Sequence, residues 1–174
     1  MWGRVSSMNA LDILNDSITR IGEYADSLRG KITADQLNWH PCDHDNSIAW
    51  LLWHTGREID LQVAHLWNAT QVWESGSYGE KTGLGKAGAH IGYGHTPEEA
   101  RAIVADDASV LLDYIVDSVD FFKAYLVTLS DEDLDEIIDR NWDPAVSRGA
   151  RLVSIVDDAA QHIGQVQYVL GMKK

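Results

Sequence analysis

Apolar residues recur at three- and four-residue spacing along four long stretches of the chain, which is the period of helices that each bury one face. The first runs from about Asn9 to Arg29, with Leu11, Leu14, Ile18, Ile21, Ala25 and Leu28 on one stripe and Gly30 as a stop. The second starts at Asn46 or Ser47 as N-cap and reaches about Trp67 through Ile48, Leu51, Leu52, Thr55, Ile59, Gln62, Val63 and Leu66. Its first two turns, Ile48-Ala49-Trp50-Leu51-Leu52-Trp53, are apolar nearly all round, which predicts burial on more than one side. Thr96-Pro97-Glu98-Glu99 opens the third with a capping threonine, a proline at the first helical position and a capping-box glutamate. Its stripe continues from Ala100 through Ile103, Val104, Asp107, Val110, Leu111, Tyr114, Ile115, Ser118, Phe121 and Phe122 to Tyr125. A short acidic helix, about Asp131 to Ile138, and a turn at Trp142-Asp143-Pro144 lead into the fourth, about Ala150 to Leu170, with Gly171 after it. The pattern predicts an all-α fold, a four-helix bundle that forms a single domain over residues 1–174.

One segment departs from that pattern. Residues 69–95 form a long connection between helices 2 and 3, with seven glycines from Gly76 to Gly94 and with Tyr78, Lys81, Lys86, His90, Tyr93 and His95 among them. A connection of this length is either functional or a mobile surface loop. Its two lysines suit an anionic ligand.

Charge narrows the partners. Twenty-seven acids against 14 bases give a formal charge of −13, which disfavours nucleic acid and anionic membrane, since phosphate binding needs clustered Lys and Arg. Cys42 is the only cysteine, so neither an internal disulfide nor a thiolate-rich zinc site can form. Met1 to Met8 lack the apolar run of a signal peptide, and Ile48 to Trp53 is far short of a membrane span. A soluble cytoplasmic protein is expected.

The candidate chemistry lies on helices 2 and 4. Asp158 and His162 are four residues apart and share one helix face, where two ligands can grip one cation. At about 100° per residue they flank the fourth stripe, beside Ile155 and Val169. His54 occupies the same flank of the second stripe, so the three meet in one cleft if the two helices are neighbours. Burying an ionised aspartate costs several kcal/mol unless a cation or donors compensate. No Lys or Arg lies within a turn of Asp158, and Arg151 is two turns back. Two histidines and one carboxylate leave positions for water or substrate, as catalytic metal sites do. The plain alternative is an i,i+4 side-chain contact on the surface. Glu58, one turn beyond His54, is a rival ligand or a neighbour of the ligands. Asp157 points to solvent or to a ligand imidazole. The cluster Trp39-His40-Pro41-Cys42-Asp43-His44-Asp45 matches no standard zinc spacing and reads as a loop.

The runs Asn46-Ser47-Ile48-Ala49-Trp50-Leu51-Leu52-Trp53-His54, Gly92-Tyr93-Gly94-His95-Thr96, Trp142-Asp143-Pro144, and Asp157-Asp158 through Gln161-His162-Ile163-Gly164-Gln165 to Tyr168-Val169-Leu170-Gly171 carry a resemblance. Together they resemble the DinB/YfiT-like superfamily, and within it the mycothiol-transferase-like branch, over about Leu37 to Gly171. The resemblance implies a dimeric four-helix bundle with a divalent metal on His54, Asp158 and His162. Many members have histidine where Asp158 stands. Zinc is the first expectation for the metal, with nickel, iron or manganese as the others. The implied reaction is transfer of a low-molecular-weight thiol such as mycothiol to an electrophilic small molecule, with Arg57, Tyr78, His95 and Gln165 as candidate substrate contacts. A metal-dependent hydrolase is the enzymatic alternative, and a structural or sensing metal site the non-catalytic one.

Overall fold

Asn9 accepts from the Asp12 amide at 2.8 Å while Asp12 accepts from the Asn9 amide at 3.1 Å, a capping box that opens the first helix, α1 (Ala10–Ser27). The computed structural model describes residues 7–172, so Met1 to Ser6, most of the stretch read for a signal peptide, lie outside the described residues. After α1 come a short α2 (Ala34–Leu37) and the long α3 (Ile48–Trp67), capped by Ser47. The connection carries α4 (Val72–Ser75) and α5 (Tyr78–Lys81), followed by α6 (Pro97–Arg101) and α7 (Ala108–Leu126). A two-stranded hairpin of β1 (Ile137–Asp139) and β2 (Val146–Ser147) precedes α8 (Arg148–Met172).

The fold is mostly helical. Both α1 and α3 pack against α7 and α8, so α3 and α8 are neighbours. Ile18, Leu52, Trp53, Ile59, Leu111, Phe122, Leu152 and Ile155 fill the space between these long helices. Gly56 sets the approach of α3 to α7: a Cβ there would lie 2.4 Å from the Tyr114 ring. Trp50 and Trp53 are buried, as the apolar first turns of the second stripe predict, and Trp73 of α4 is buried with them. Among the described residues no helix is long and apolar enough to cross a membrane.

Three expectations change. The third stripe is two helices, because the chain unwinds between Arg101 and Ala108. Asn38 holds the break, donating to the Ala105 carbonyl at 2.8 Å and accepting from its amide at 3.1 Å. Asp107, read as a stripe position, caps α7 by accepting from the Ser109 amide at 2.8 Å. The acidic segment is not an α-helix either: a 3-10 turn at Glu132–Asp135 gives way to β1, which pairs antiparallel with β2. Asp133 accepts from the Ser130 amide at 2.7 Å, a capping bond that starts only the short turn, and β-branched Ile137 and Ile138 suit the strand that follows. Lastly, the glycine-rich connection is not structureless, since α4, α5 and a 3-10 turn at Ala87–Ala89 punctuate it.

Candidate metal centre

Successive turns of α3 bring His54, Glu58 and Gln62 onto the face that meets α8, and α8 answers with Arg151, Ser154, Asp158, His162 and Gln165. One Asp158 oxygen lies 3.6 Å from His54 Nε2 and the other 3.5 Å from His162 Nε2. One ligand atom from each of the three residues falls within 4.8 Å of the other two. Two metal bonds of about 2.1 Å at a tetrahedral angle place their ligand atoms about 3.4 Å apart. The observed gaps match a shared cation better than direct hydrogen bonds, which are shorter.

The imidazoles are turned so that the same nitrogen of each is free. His54 Nδ1 is 2.5 Å from the Ile91 carbonyl oxygen and His162 Nδ1 is 2.9 Å from Gln165 Oε1. Both partners accept, so each Nδ1 carries the proton and each Nε2 keeps its lone pair for the cleft. Trp50 stacks on His54 with ring centroids 4.6 Å apart and donates from Nε1 to His95 Nδ1 at 3.3 Å. Burial pushes the His95 imidazole down, in keeping with an accepting nitrogen. His95 lies against the Trp53 ring, with centroids 5.5 Å apart.

Charge is concentrated at Asp158. The facing imidazoles of His162 and His54 hold its carboxyl well below the usual carboxylate range, against a smaller opposing effect of burial. His162 feels burial most, which lowers it, but Asp158 and Gln165 outweigh burial and leave its pKa raised. Glu58 is raised chiefly by burial. Gln62 donates to Glu58 Oε2, and its own carbonyl accepts from Arg151 Nη1 at 3.2 Å. Glu58, Gln62 and Arg151 thus form a chain of hydrogen bonds along the cleft, in which Gln62, read from sequence as a core position, is the link.

The structure does not bring every candidate to this cluster. Arg57 is buried and serves the connection: Nε donates to the His90 carbonyl at 3.0 Å and Nη2 to the Ala89 carbonyl at 2.9 Å. Tyr78 packs on Tyr114 and donates to Asp117 at 2.5 Å, which occupies its hydroxyl away from the three residues. Its pKa is raised by burial and by Asp117, and this phenol stays protonated. Asp157 is exposed and accepts from Gln161 at 2.8 Å. The Pro41–Asn46 loop holds none of the three converging groups, but with Leu51, His162, Gln165, Tyr168 and Met172 it lines a groove of about 750 Å³ that reaches His162.

Two contributors carried no signal in the residue pattern. The Ile91 carbonyl fixes the His54 tautomer, and Gly92, at φ +92°, lets it approach. A Cβ on Gly92 would meet Trp53 at 2.8 Å and His54 Nδ1 at 3.1 Å. Gly92→Ala is therefore expected to turn or displace His54 and weaken metal binding by about 10–100-fold, the range for lost support of a ligand. A chelator competition titration measures this, and unchanged affinity would mean that Ile91 does not orient the ring.

A mostly helical protein with a His-Asp-His cluster between two packed helices is the class that fold and site define. The sequence profile of the DinB superfamily matches residues 17–166, and the chain belongs to that superfamily. It is similar to a crystal structure described as the conserved protein of locus from Enterococcus faecalis, with 35% sequence identity and a TM-score of 0.85 over 94% of this chain and 96% of that one. A search of curated proteins returned no match.

Proposed function

We propose that His54, Asp158 and His162 hold a divalent metal and that the protein transfers a low-molecular-weight thiol, such as mycothiol, to an electrophilic small molecule. The observation that carries this reading is the convergence of two Nε2 atoms and one carboxylate, each imidazole locked from behind by an acceptor. Membership in a superfamily that often binds metal supports it. Zinc suits two imidazoles and a carboxylate, as nickel, iron and manganese also can. A metal bound there supplies a Lewis acid that lowers the pKa of a coordinated thiol, so that thiolate is present at neutral pH.

The chain's own groups do the rest. Asp158 would contribute the negative charge that anchors the cation, Trp50 covers one face of His54, and Glu58, one turn along α3 on the same face, is the candidate acceptor for the thiol proton. The thiolate sulfur would then bond to the electrophilic carbon while the bond from that carbon to its leaving group breaks and the leaving group departs with the electron pair, as chloride from 1-chloro-2,4-dinitrobenzene. The protein is read as acting in the cytoplasm and as a homodimer. Glu58 also favours a second reading, a metal-dependent hydrolase, because a buried carboxylate beside the candidate metal ligands suits a general base for water.

The deciding experiment pairs elemental analysis with a thiol-consumption assay, using mycothiol and 1-chloro-2,4-dinitrobenzene, on wild type and His162→Ala. Near-stoichiometric metal and thiol conjugation in wild type, both lost in the variant, is the expected result. Metal without thiol consumption, together with turnover of ester probes in the absence of thiol, would replace transfer by hydrolysis. Metal with neither activity would leave a structural or sensing site.

A further inference from the structure

The cleft does not end at the three converging residues. Toward the hairpin, on the same α3 and α8 faces, lies a cavity of about 480 Å³ lined by Gln62 of α3, Arg151 and Ser154 of α8, Val146 of β2, and by Tyr93 and Trp142. That volume is in the range of small-molecule sites. Ser154 and Arg151 precede Asp158 by one and two turns on the same face of α8, so the backbone positions of Arg151 and Asp158 stand about 10 Å apart along the helix. A small ligand held at Arg151 can reach the cluster.

The lining has a specific chemical character. Tyr93 is 91% exposed and Trp142 66% exposed, two large aromatic side chains from different segments that meet at one cavity without protein cover. Aromatic faces of this kind receive flat, conjugated groups. Arg151 is the basic side chain of this cavity in a chain where acids outnumber bases 27 to 14. Its Nη1 donates to Gln62, while its Nη2 lies 3.5 Å from Asp139, long for a charge-assisted hydrogen bond. A guanidinium carries five N–H donors, and a planar carboxylate is its best-fitting partner. Asn141 holds Asp139 through the other carboxylate oxygen, Oδ1, with its amide at 2.9 Å and its side chain at 3.0 Å, so Arg151 is tied to Asp139 only by the long contact to Oδ2.

We propose that this cavity binds a flat, carboxylate-bearing small molecule, with the carboxylate on Arg151 and the conjugated or aromatic part between Trp142 and Tyr93. Resting on the thiol-transfer reading, this molecule is the electrophile, its reactive carbon directed along α8 toward Asp158 and His162. The thiol then enters through the opposite groove, beside Leu51, Tyr168 and Met172. The cluster stands between the two entrances, an arrangement suited to two substrates that must meet.

The test compares trans-cinnamate with the neutral, nearly isosteric trans-cinnamamide by isothermal titration calorimetry on the full chain, both metal-loaded and chelator-treated. Cinnamate is expected to bind at least about tenfold more tightly than the amide in both forms, the ratio for one charge-assisted contact. Arg151→Gln should bring the two ligands level, Arg151→Lys should retain part of the preference, and Trp142→Ala should weaken both. Thermal melts confirm that each variant is folded, and the exposed Trp142 offers a readout that does not touch the Arg151 contacts. Equal binding of the two probes, no binding of either, or a preference that survives Arg151→Gln overturns the proposal. So does a preference that vanishes on chelation, because the carboxylate would then be on the metal. The thiol-consumption assay is independent: a blank there beside an intact cinnamate preference removes the transferase reading and leaves the carboxylate site standing.

Discussion

Arg57→Ala should lower stability by about 3–5 kcal/mol, the cost of removing one partner of a buried ion pair. Arg57 is 1% exposed and its partner Asp60 0%, and they meet at 3.2 Å. Beyond the two carbonyls of the connection, Arg57 donates to Gln71 Oε1 at 2.8 Å and to the Tyr114 hydroxyl at 2.9 Å. Tyr114 and the amides of Val72 and Trp73 donate to Asp60. Truncating Arg57 strands Asp60 as a buried negative charge and frees the carbonyls of Ala89 and His90 at the same time. Because Ile91 follows directly and orients His54, metal affinity should fall as well, by about 10–100-fold. Arg57→Lys should recover little of either loss, since an ammonium keeps the charge but has three donors and no planar fork. Urea denaturation with a chelator titration measures both quantities; a midpoint within error of wild type would show that the network is not holding the connection.

Metal affinity should rise with pH through the neutral range, and the metal-free protein should show the opposite trend at the same residues. His162 has its pKa raised above 6.5, so below that shifted value it is protonated and a metal must displace the proton. Each proton released makes the binding constant change by about a decade per pH unit until the imidazole is neutral. Without metal, the imidazolium–Asp158 pair contributes stability that is fully present below the unfolded-state pKa and fades as pH rises through the raised folded value. The depressed carboxyl of Asp158 works in the other direction, its contribution being fully present above the ordinary carboxylate range and lost progressively as pH falls from there toward the lowered folded value. Asp158→Asn should remove both effects on His162 and reduce affinity more than Gly92→Ala does, because it deletes a ligand rather than a support. Competition titrations from about pH 5.5 to 8, spanning ordinary imidazole titration, with parallel melts of chelated protein, test the crossing. A flat affinity profile would mean that His162 does not bind the metal.

Much of this arrangement was legible in the residue pattern, and the omissions share a physical origin. Helical period placed His54 on one flank of its stripe and Asp158 with His162 on another, and packing of α3 on α8 brings those flanks together. Capping chemistry found the starts of α3 and α6, because a cap is a local bond between residues three apart. The break before α7 escaped because its decisive bonds come from Asn38, 67 residues away, and periodicity reads only neighbours. The hairpin escaped because two short strands define each other and neither has a period of its own. Arg57 and Tyr78 stand among the substrate contacts that the resemblance implies, yet both are buried and their polar groups are already partnered within the fold.

The clamp behind His54 is built from main-chain oxygens. Ala89, His90 and Ile91 each contribute a carbonyl, and none contributes a side chain to that hold. The hold therefore does not depend on which side chains stand at these three positions while Arg57 and Gly92 stay in place, and two relatives can share the device without a single common letter there. What is inherited there is a path of the backbone.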